Sequence, residues 1–418
     1  MKLARRLASI EPFDVMEFSK AAGELARSPA CDPRLGGEPM LYLNIGEPDF
    51  TAPPLVQEAA ERAMRQGTTQ YTNATGMPAL QERISQWYAT RFNLTIAPHR
   101  IIITAGASAA LQLACLALVD RDDEVLLPDP SYPCNRHFVA AAEGVPVLLP
   151  ASSEDRYQLS AASVLAAWKP RTRGVLLASP SNPTGTSIEH AEMGRIAATV
   201  RAKGGFTLVD EIYLGLSFDE RFAHSALEHG QGHGNDVISI NSFSKYFSMT
   251  GWRLGWLVVP DELVAPIEKL AQNLYICPST VAQHAALACF EPESIAEYER
   301  RRGEFRARRD FLVPALNAMG LTVPVMPDGA FYAWANCSAH GPSSWDFCFD
   351  MMRRAHVSIA PGRDFGRATA ERFVRLSYAS SMPQLQEAVE RLRRELGGGP
   401  SPISVPASSQ SSGHAAQM

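Results

Sequence analysis

The chain contains no run of about 18 consecutive apolar residues, so no segment of it reads as a membrane-spanning helix. It also lacks a signal-peptide core, because Lys2, Arg5 and Arg6 are followed by Glu11 and Asp14 before any sufficient apolar run, and secretion is not expected. Cysteine is sparse and unpaired. Cys31, Cys115, Cys134, Cys277, Cys289, Cys337 and Cys348 are an odd set of seven without a C-x-x-C pair. That excludes a disulfide framework and a zinc ribbon and implies reduced thiols in a cytoplasmic protein. A net charge of −5 gives no electrostatic reason for nucleic acid or an anionic membrane as partner, which leaves small molecules. The ten histidines show no metal-ligand spacing, so His224, His229 and His233 read as loop residues and no metal is expected. Internal repeats are absent.

What is present is a 418-residue chain, 46% hydrophobic and 20% charged, with the composition of a globular protein long enough for one large and one smaller domain. Short β-rich apolar runs at 101–104, 124–127, 145–149, 174–178, 206–209, 237–241 and 254–259 alternate with helical patterns at 107–118, 133–142, 161–168 and 188–203. This alternation predicts an α/β fold with a mainly parallel seven-stranded sheet. Farther on, a helical stretch at 295–319 precedes apolar runs at 322–325, 329–334, 356–359 and 373–377, which suggest a small antiparallel sheet in an α+β domain. The run Arg300-Arg301-Arg302 within that stretch reads as a solvated helix face.

Three polar sites each follow an apolar strand: Ser181-Asn182-Pro183-Thr184-Gly185, Asp210-Glu211-Ile212-Tyr213 and Ser242-Phe243-Ser244-Lys245. In a parallel sheet all three lie on the carboxyl edge, where open α/β sheets bind ligands. A fourth segment, Thr104-Ala105-Gly106-Ala107-Ser108, leaves a strand and opens a helix, so its N–H groups suit an anion. Together they describe a site for a phosphate-bearing, nitrogen-containing cofactor. Lys245 would be its nucleophile, since an amine lowered in pKa by desolvation or a nearby cation gains that role.

These motifs, with Asn44-Ile45-Gly46-Glu47-Pro48-Asp49, Gln70-Tyr71-Thr72, Gly76, Pro130-Ser131-Tyr132-Pro133, Arg253, Gly255 and Phe373-Val374-Arg375-Leu376-Ser377, resemble in order and content the fold-type I, class I/II aminotransferases of the aspartate aminotransferase superfamily. The resemblance runs from about Leu41 to Leu392. It implies a pyridoxal 5'-phosphate enzyme in which Lys245 carries the cofactor as a Schiff base and Asp210 pairs with the pyridine nitrogen. Tyr213 and Asn182 would bond the phenolic oxygen, and Tyr132 would stack on the ring. Gly106, Ala107, Ser108, Ser242, Ser244 and Arg253 would hold the phosphate, and Tyr71 would reach the phosphate of a neighbouring subunit in a homodimer. Arg375 would clamp the substrate α-carboxylate, helped by Asn182 and the backbone at Gly46.

The organisation implied is an N-terminal segment 1–50 joined to the small domain, a large cofactor domain 51–294, a small domain 295–396 and a disordered tail 397–418. The activity implied is ping-pong transamination between an L-amino acid and a 2-oxo acid such as pyruvate or 2-oxoglutarate. One departure bears on substrate: Gln272 and Ser108 stand where relatives place the cations that hold a distal carboxylate, so a neutral or aromatic donor is favoured over a dicarboxylate one. Residues 10–18, Tyr275 and Phe331 are candidate pocket lining. The rival readings are a C–S β-lyase on the same fold, an aspartate-type dicarboxylate enzyme, and a ligand-sensing domain without catalysis.

Overall fold

The computed structural model describes residues 2–12, 14–230 and 236–397, so His233 and the expected tail from 398 onward lie outside the described residues. The first strand, β1 (Leu41–Tyr42), belongs to the smaller part of the molecule. Seven strands then build the large sheet: β2 (Ile101–Thr104), β3 (Glu124–Asp129), β4 (Val145–Pro150), β5 (Thr172–Ala178), β6 (Phe206–Asp210), β7 (Val237–Ser242) and β8 (Gly255–Val258). Their spatial order is β2-β8-β7-β6-β5-β3-β4.

The sheet is mainly parallel, as the alternation of strand and helix patterns predicts. Alternate residues supply its two faces: Leu176, Leu208 and Ile238 pack into one apolar layer, Val175, Leu177 and Val209 into the other. The exception is β8, antiparallel to both β2 and β7. Its reversal brings the residues just before it, Arg253 and Leu254, to the edge where β5, β6 and β7 end.

Helices fall close to the expected ranges, at Ala107–Leu118, Pro133–Ala141, Ala161–Ala167 and His190–Ala202. The last starts two residues later than its hydrophobic pattern because the Ile188 N–H is held by the Ser179 hydroxyl at 3.1 Å, which keeps that stretch in the loop.

The smaller part differs from the single antiparallel sheet that the sequence suggests. β9 (Tyr332–Asn336), β11 (Ala360–Pro361) and β12 (Phe373–Ser377) form a three-stranded antiparallel sheet, while β10 (Val357–Ser358) pairs in parallel with β1. Residues 322–325 contribute only an isolated bridge, Thr322 to Asn336. The strand expected from 329 begins at Tyr332, because the Gly329 N–H bonds to the Gly185 carbonyl and Ala330 takes a left-handed φ of 57°.

The long helix Pro292–Ala318 carries the arginine run, and only Arg300 there is solvated as expected. Arg301 is buried: its guanidinium lies over the Phe50 ring and is met by the Glu297 carboxylate and the Thr51 carbonyl. Among the described residues, no helix is long and apolar enough to cross a membrane.

Candidate functional site

At the carboxyl edge of the large sheet lies a cavity of about 480 Å³, closed on one side by the smaller part of the molecule. Gly46, Ala107, Ser108, Tyr132, Asn182, Asp210, Tyr213, Ser242, Ser244, Lys245, Arg253 and Arg375 all line it. Of the residues expected at the site, Gly106 lies just behind the wall, with no room for a Cβ, which would sit 2.7 Å from Nη2 of Arg253. Its φ of 83° is one that glycine adopts without strain.

One end of the cavity is an anion cradle. Helix Ala107–Leu118 starts there and presents free N–H groups and the positive end of its dipole. The Ser242 hydroxyl donates to Oγ of Ser244 at 2.9 Å, and Arg253 lies across Gly106 with Nη1 on the Thr250 carbonyl at 2.9 Å.

The middle holds the two groups that burial shifts most usefully. Asp210, 4% exposed, is pushed up to about 7, mainly by desolvation; the Ile212 N–H on its Oδ1 and the charge of Lys245 only partly offset this. Lys245 is lowered to about 8, again chiefly by desolvation, with Arg375 and Arg253 adding repulsion against the pull of Glu47 and Asp210. Its Nζ donates to the Gly46 carbonyl at 2.6 Å. Behind Asp210, Glu211 is sealed in by the hydroxyls of Ser225 and Ser239 and the Ala226 N–H, which ties β6 to its neighbours.

At the other end Arg375, 2% exposed, projects from β12 between the rings of Tyr332 at 4.5 Å and Phe365 at 4.8 Å. It donates through Nη1 to Oδ1 of Asn182 at 2.9 Å and through Nη2 to the Asn44 carbonyl at 2.5 Å, while its Nε has no partner among the described residues.

The donor set fits a phosphate-bearing pyridine: a cradle rich in N–H and hydroxyl donors, a buried carboxylate, a desolvated amine, and a guanidinium with a donor to spare. Tyr71 stands apart, 83% exposed and outside the cavity, on a loop fastened by Thr280 to the Gln70 carbonyl and by Gln283 to the Thr72 hydroxyl. Of the candidate lining at 10–18, Val15 and Met16 reach the cavity; Tyr275 does not and bonds instead to Gln112 on the surface, and Phe331 packs behind Tyr213.

Tyr332 and Glu47 are the notable residues to which sequence reasoning gave no role, Glu47 being noted only as part of the motif 44–49. Tyr332 bonds through its hydroxyl to that of Tyr213 at 2.8 Å, and Glu47 accepts from Thr250. Tyr332 sits diagonally across from Arg375, whose partner in the β9–β12 ladder is Trp334. That register is the signal that would have found it, and it is not written in either strand alone.

The Asp210 shift has a measurable consequence. A carboxyl whose folded value is raised from near 4 to about 7 contributes stability that is fully present below about pH 4 and lost as pH rises through about 7. In ligand-free protein, Asp210→Asn should therefore lose less stability than wild type between about pH 5 and pH 8, with Glu211 titrating equally in both. Paired urea melts at the two pH values measure this, and equal losses would show that Asp210 does not titrate in that window.

Residues 38–392 match the family model described as aminotransferase class I and II. A valine–pyruvate aminotransferase of Mycobacterium tuberculosis is 36% identical over 385 residues, which cover 92% of this chain and 96% of that protein. A crystal structure of an aminotransferase from Mycobacterium tuberculosis superposes with a TM-score of 0.89 at 35% identity, covering 95% of this chain and 100% of the other. Aspartate aminotransferase from Thermus thermophilus with maleate gives a TM-score of 0.86 at 32% identity, covering 94% and 99%.

Proposed function

Since the chain belongs to the class I and II aminotransferases, enzymes that move an amino group between an amino acid and a 2-oxo acid, we propose that it prefers donors with neutral side chains and works by a ping-pong mechanism. The observation that carries the preference is the charge pattern of the cavity. Its cations are Lys245, Arg253 and Arg375; in this reading Lys245 and Arg253 are committed to the cofactor, which leaves Arg375, with its unpartnered Nε, for a substrate carboxylate. The remaining wall includes Val15, Met16, Ile45, Leu111 and Ile212, and its acids are Asp210, which in this reading faces the cofactor ring, and Glu47, whose carboxylate repels a second acid group. Gln272 lies on the exposed helix Asp261–Leu274, bonded to Glu268. The relative named for valine and pyruvate supports the same reading.

The family uses pyridoxal phosphate, which when bound supplies an electron sink for the pair left behind as the substrate's α-proton departs. In this chain Lys245 would hold it covalently through Nζ, with the phosphate on the Gly106–Ser108 amides, Ser242, Ser244 and Arg253. Asp210 would keep a proton on the ring nitrogen, Tyr213 and Asn182 would donate to the ring oxygen, and Tyr132 would pack on its face. Arg375 orients the donor by its carboxylate. The Lys245 amine, once free and neutral, would be the base that takes the proton from the substrate α-carbon and would carry it as the ammonium until it is returned. Its lowered pKa makes the neutral form accessible near pH 8.

The fastened but exposed Tyr71 supports a homodimer in which this ring reaches the partner's phosphate site, and seven free thiols suit a reducing cytoplasm. The test is a donor panel at fixed pyruvate and 2-oxoglutarate. Valine, alanine or an aromatic amino acid should exceed aspartate and glutamate in kcat/KM. Aspartate leading would overturn the preference, and pyruvate with ammonia appearing without any acceptor would point to a lyase.

A further inference from the structure

A second cluster of chemistry-bearing side chains lies outside the cavity and does not depend on the reading above. His190 opens helix His190–Ala202, while His224 and Glu228 belong to the segment around the short turn Ala226–His229. Glu228 bridges the two rings: Oε2 lies 2.7 Å from Nε2 of His190, and Oε1 lies 3.2 Å from Nδ1 of His224. The His190 and His224 ring centroids are 4.6 Å apart. A third ring, His229, lies at the same centroid distance from His190, and its Nε2 is buried with no partner among the described residues.

We propose that His190, His224 and Glu228 form a binding site for a divalent first-row transition ion, Zn²⁺ foremost, with water completing the coordination. Two imidazoles and one carboxylate are a donor set that zinc accepts, whereas calcium and magnesium require oxygen. The three donor atoms lie within 4.8 Å of one another. An ion with ligand bonds of about 2.0–2.2 Å needs its donors no more than ~4.4 Å apart, so small side-chain rotations suffice. Those rotations are open to side chains that are 42%, 41% and 23% exposed.

As a plain surface ion pair, the cluster would need a ring proton at each of the two contacts that Glu228 makes. A single cation replaces both protons and takes the lone pairs of both rings.

The ion would tie the Ala226–His229 turn to the helix His190–Ala202. The Ala226 N–H is held by Glu211, the residue after Asp210, so the ion braces the support of the catalytic edge without touching the reaction. It should raise stability and leave turnover alone.

Cofactor-loaded enzyme, cleared of metal with a chelator, is titrated with ZnCl₂ by calorimetry and by thermal melting, as wild type and as His190→Ala, His224→Ala and Glu228→Gln. One equivalent should bind to wild type and be missing from each histidine variant, with zinc raising Tm in wild type and not in the histidine variants. Glu228→Gln should bind at least roughly 10-fold more weakly, a loss that even an outer-sphere partner's removal can cause. Transaminase activity should be the same in all four. Zinc held by thiols persists in every variant, so the difference counts this site alone. Equal stoichiometry and affinity in the histidine variants, or no equivalent bound by wild type, would overturn the proposal.

Discussion

Lys245→Ala should reduce turnover by roughly 10²–10⁴-fold from the loss of proton transfer alone, and further through the loss of the covalent hold on the cofactor. No neighbour can take over. The other cations of the cavity are the guanidiniums Arg253 and Arg375, which are poor bases, and Asp210, at the end of its strand, would serve the ring nitrogen rather than the substrate carbon. The fold should survive, because Lys245 spends its amine on one hydrogen bond, to the Gly46 carbonyl, against a background of desolvation that lowers its pKa. Steady-state rates with saturating pyridoxal phosphate, beside circular dichroism of the same samples, check this. A variant within tenfold of wild type would remove Lys245 from the chemistry.

Arg375→Lys should raise KM for amino acids far more than it lowers kcat. The guanidinium spends Nη1 on Asn182 and Nη2 on the Asn44 carbonyl, and its plane is fixed between Tyr332 and Phe365. A lysine ammonium keeps the charge but loses the rigid planar fork that spans both anchors and still faces a carboxylate. Removing one partner of a buried, hydrogen-bonded charge pair costs about 2–5 kcal/mol, which is roughly 30-fold or more in kcat/KM. An amine donor without an α-carboxylate should react equally slowly with both proteins. If the variant lost activity equally against both classes of donor, Arg375 would be holding the fold rather than the substrate.

The sequence was informative wherever a local pattern decides the outcome. The strand-then-polar order of Asn182, Asp210 and Lys245 requires only that three strands run the same way, and β5, β6 and β7 do. Glycine at 106 followed by small residues announces a tight approach that the structure fills with Arg253. What depends on pairing was not legible. The reversal of β8 leaves no mark on an apolar run, since a strand buried on both faces reads the same in either direction. The parallel pairing of β1 with β10 joins two-residue strands, too short to carry a period. Arg301 shows the limit of charge as a guide: in sequence it is one of three like residues, and only the carbonyl of Thr51 and the ring of Phe50 separate it from Arg300. The same holds for the His190, His224 and Glu228 cluster, whose members come from two segments that only tertiary folding brings together.

The two anchors of Arg375 also set an order on synthesis. The cofactor cradle draws on residues between Gly106 and Arg253, and all of these leave the ribosome with a third of the chain still unmade. The substrate clamp cannot form then, because Arg375 must meet a carbonyl 331 residues before it and an amide 193 residues before it. The residues proposed to hold pyridoxal phosphate are therefore complete in a growing chain well before those proposed to hold an amino acid can meet, and a domain that folds as a unit would form the first site ahead of the second.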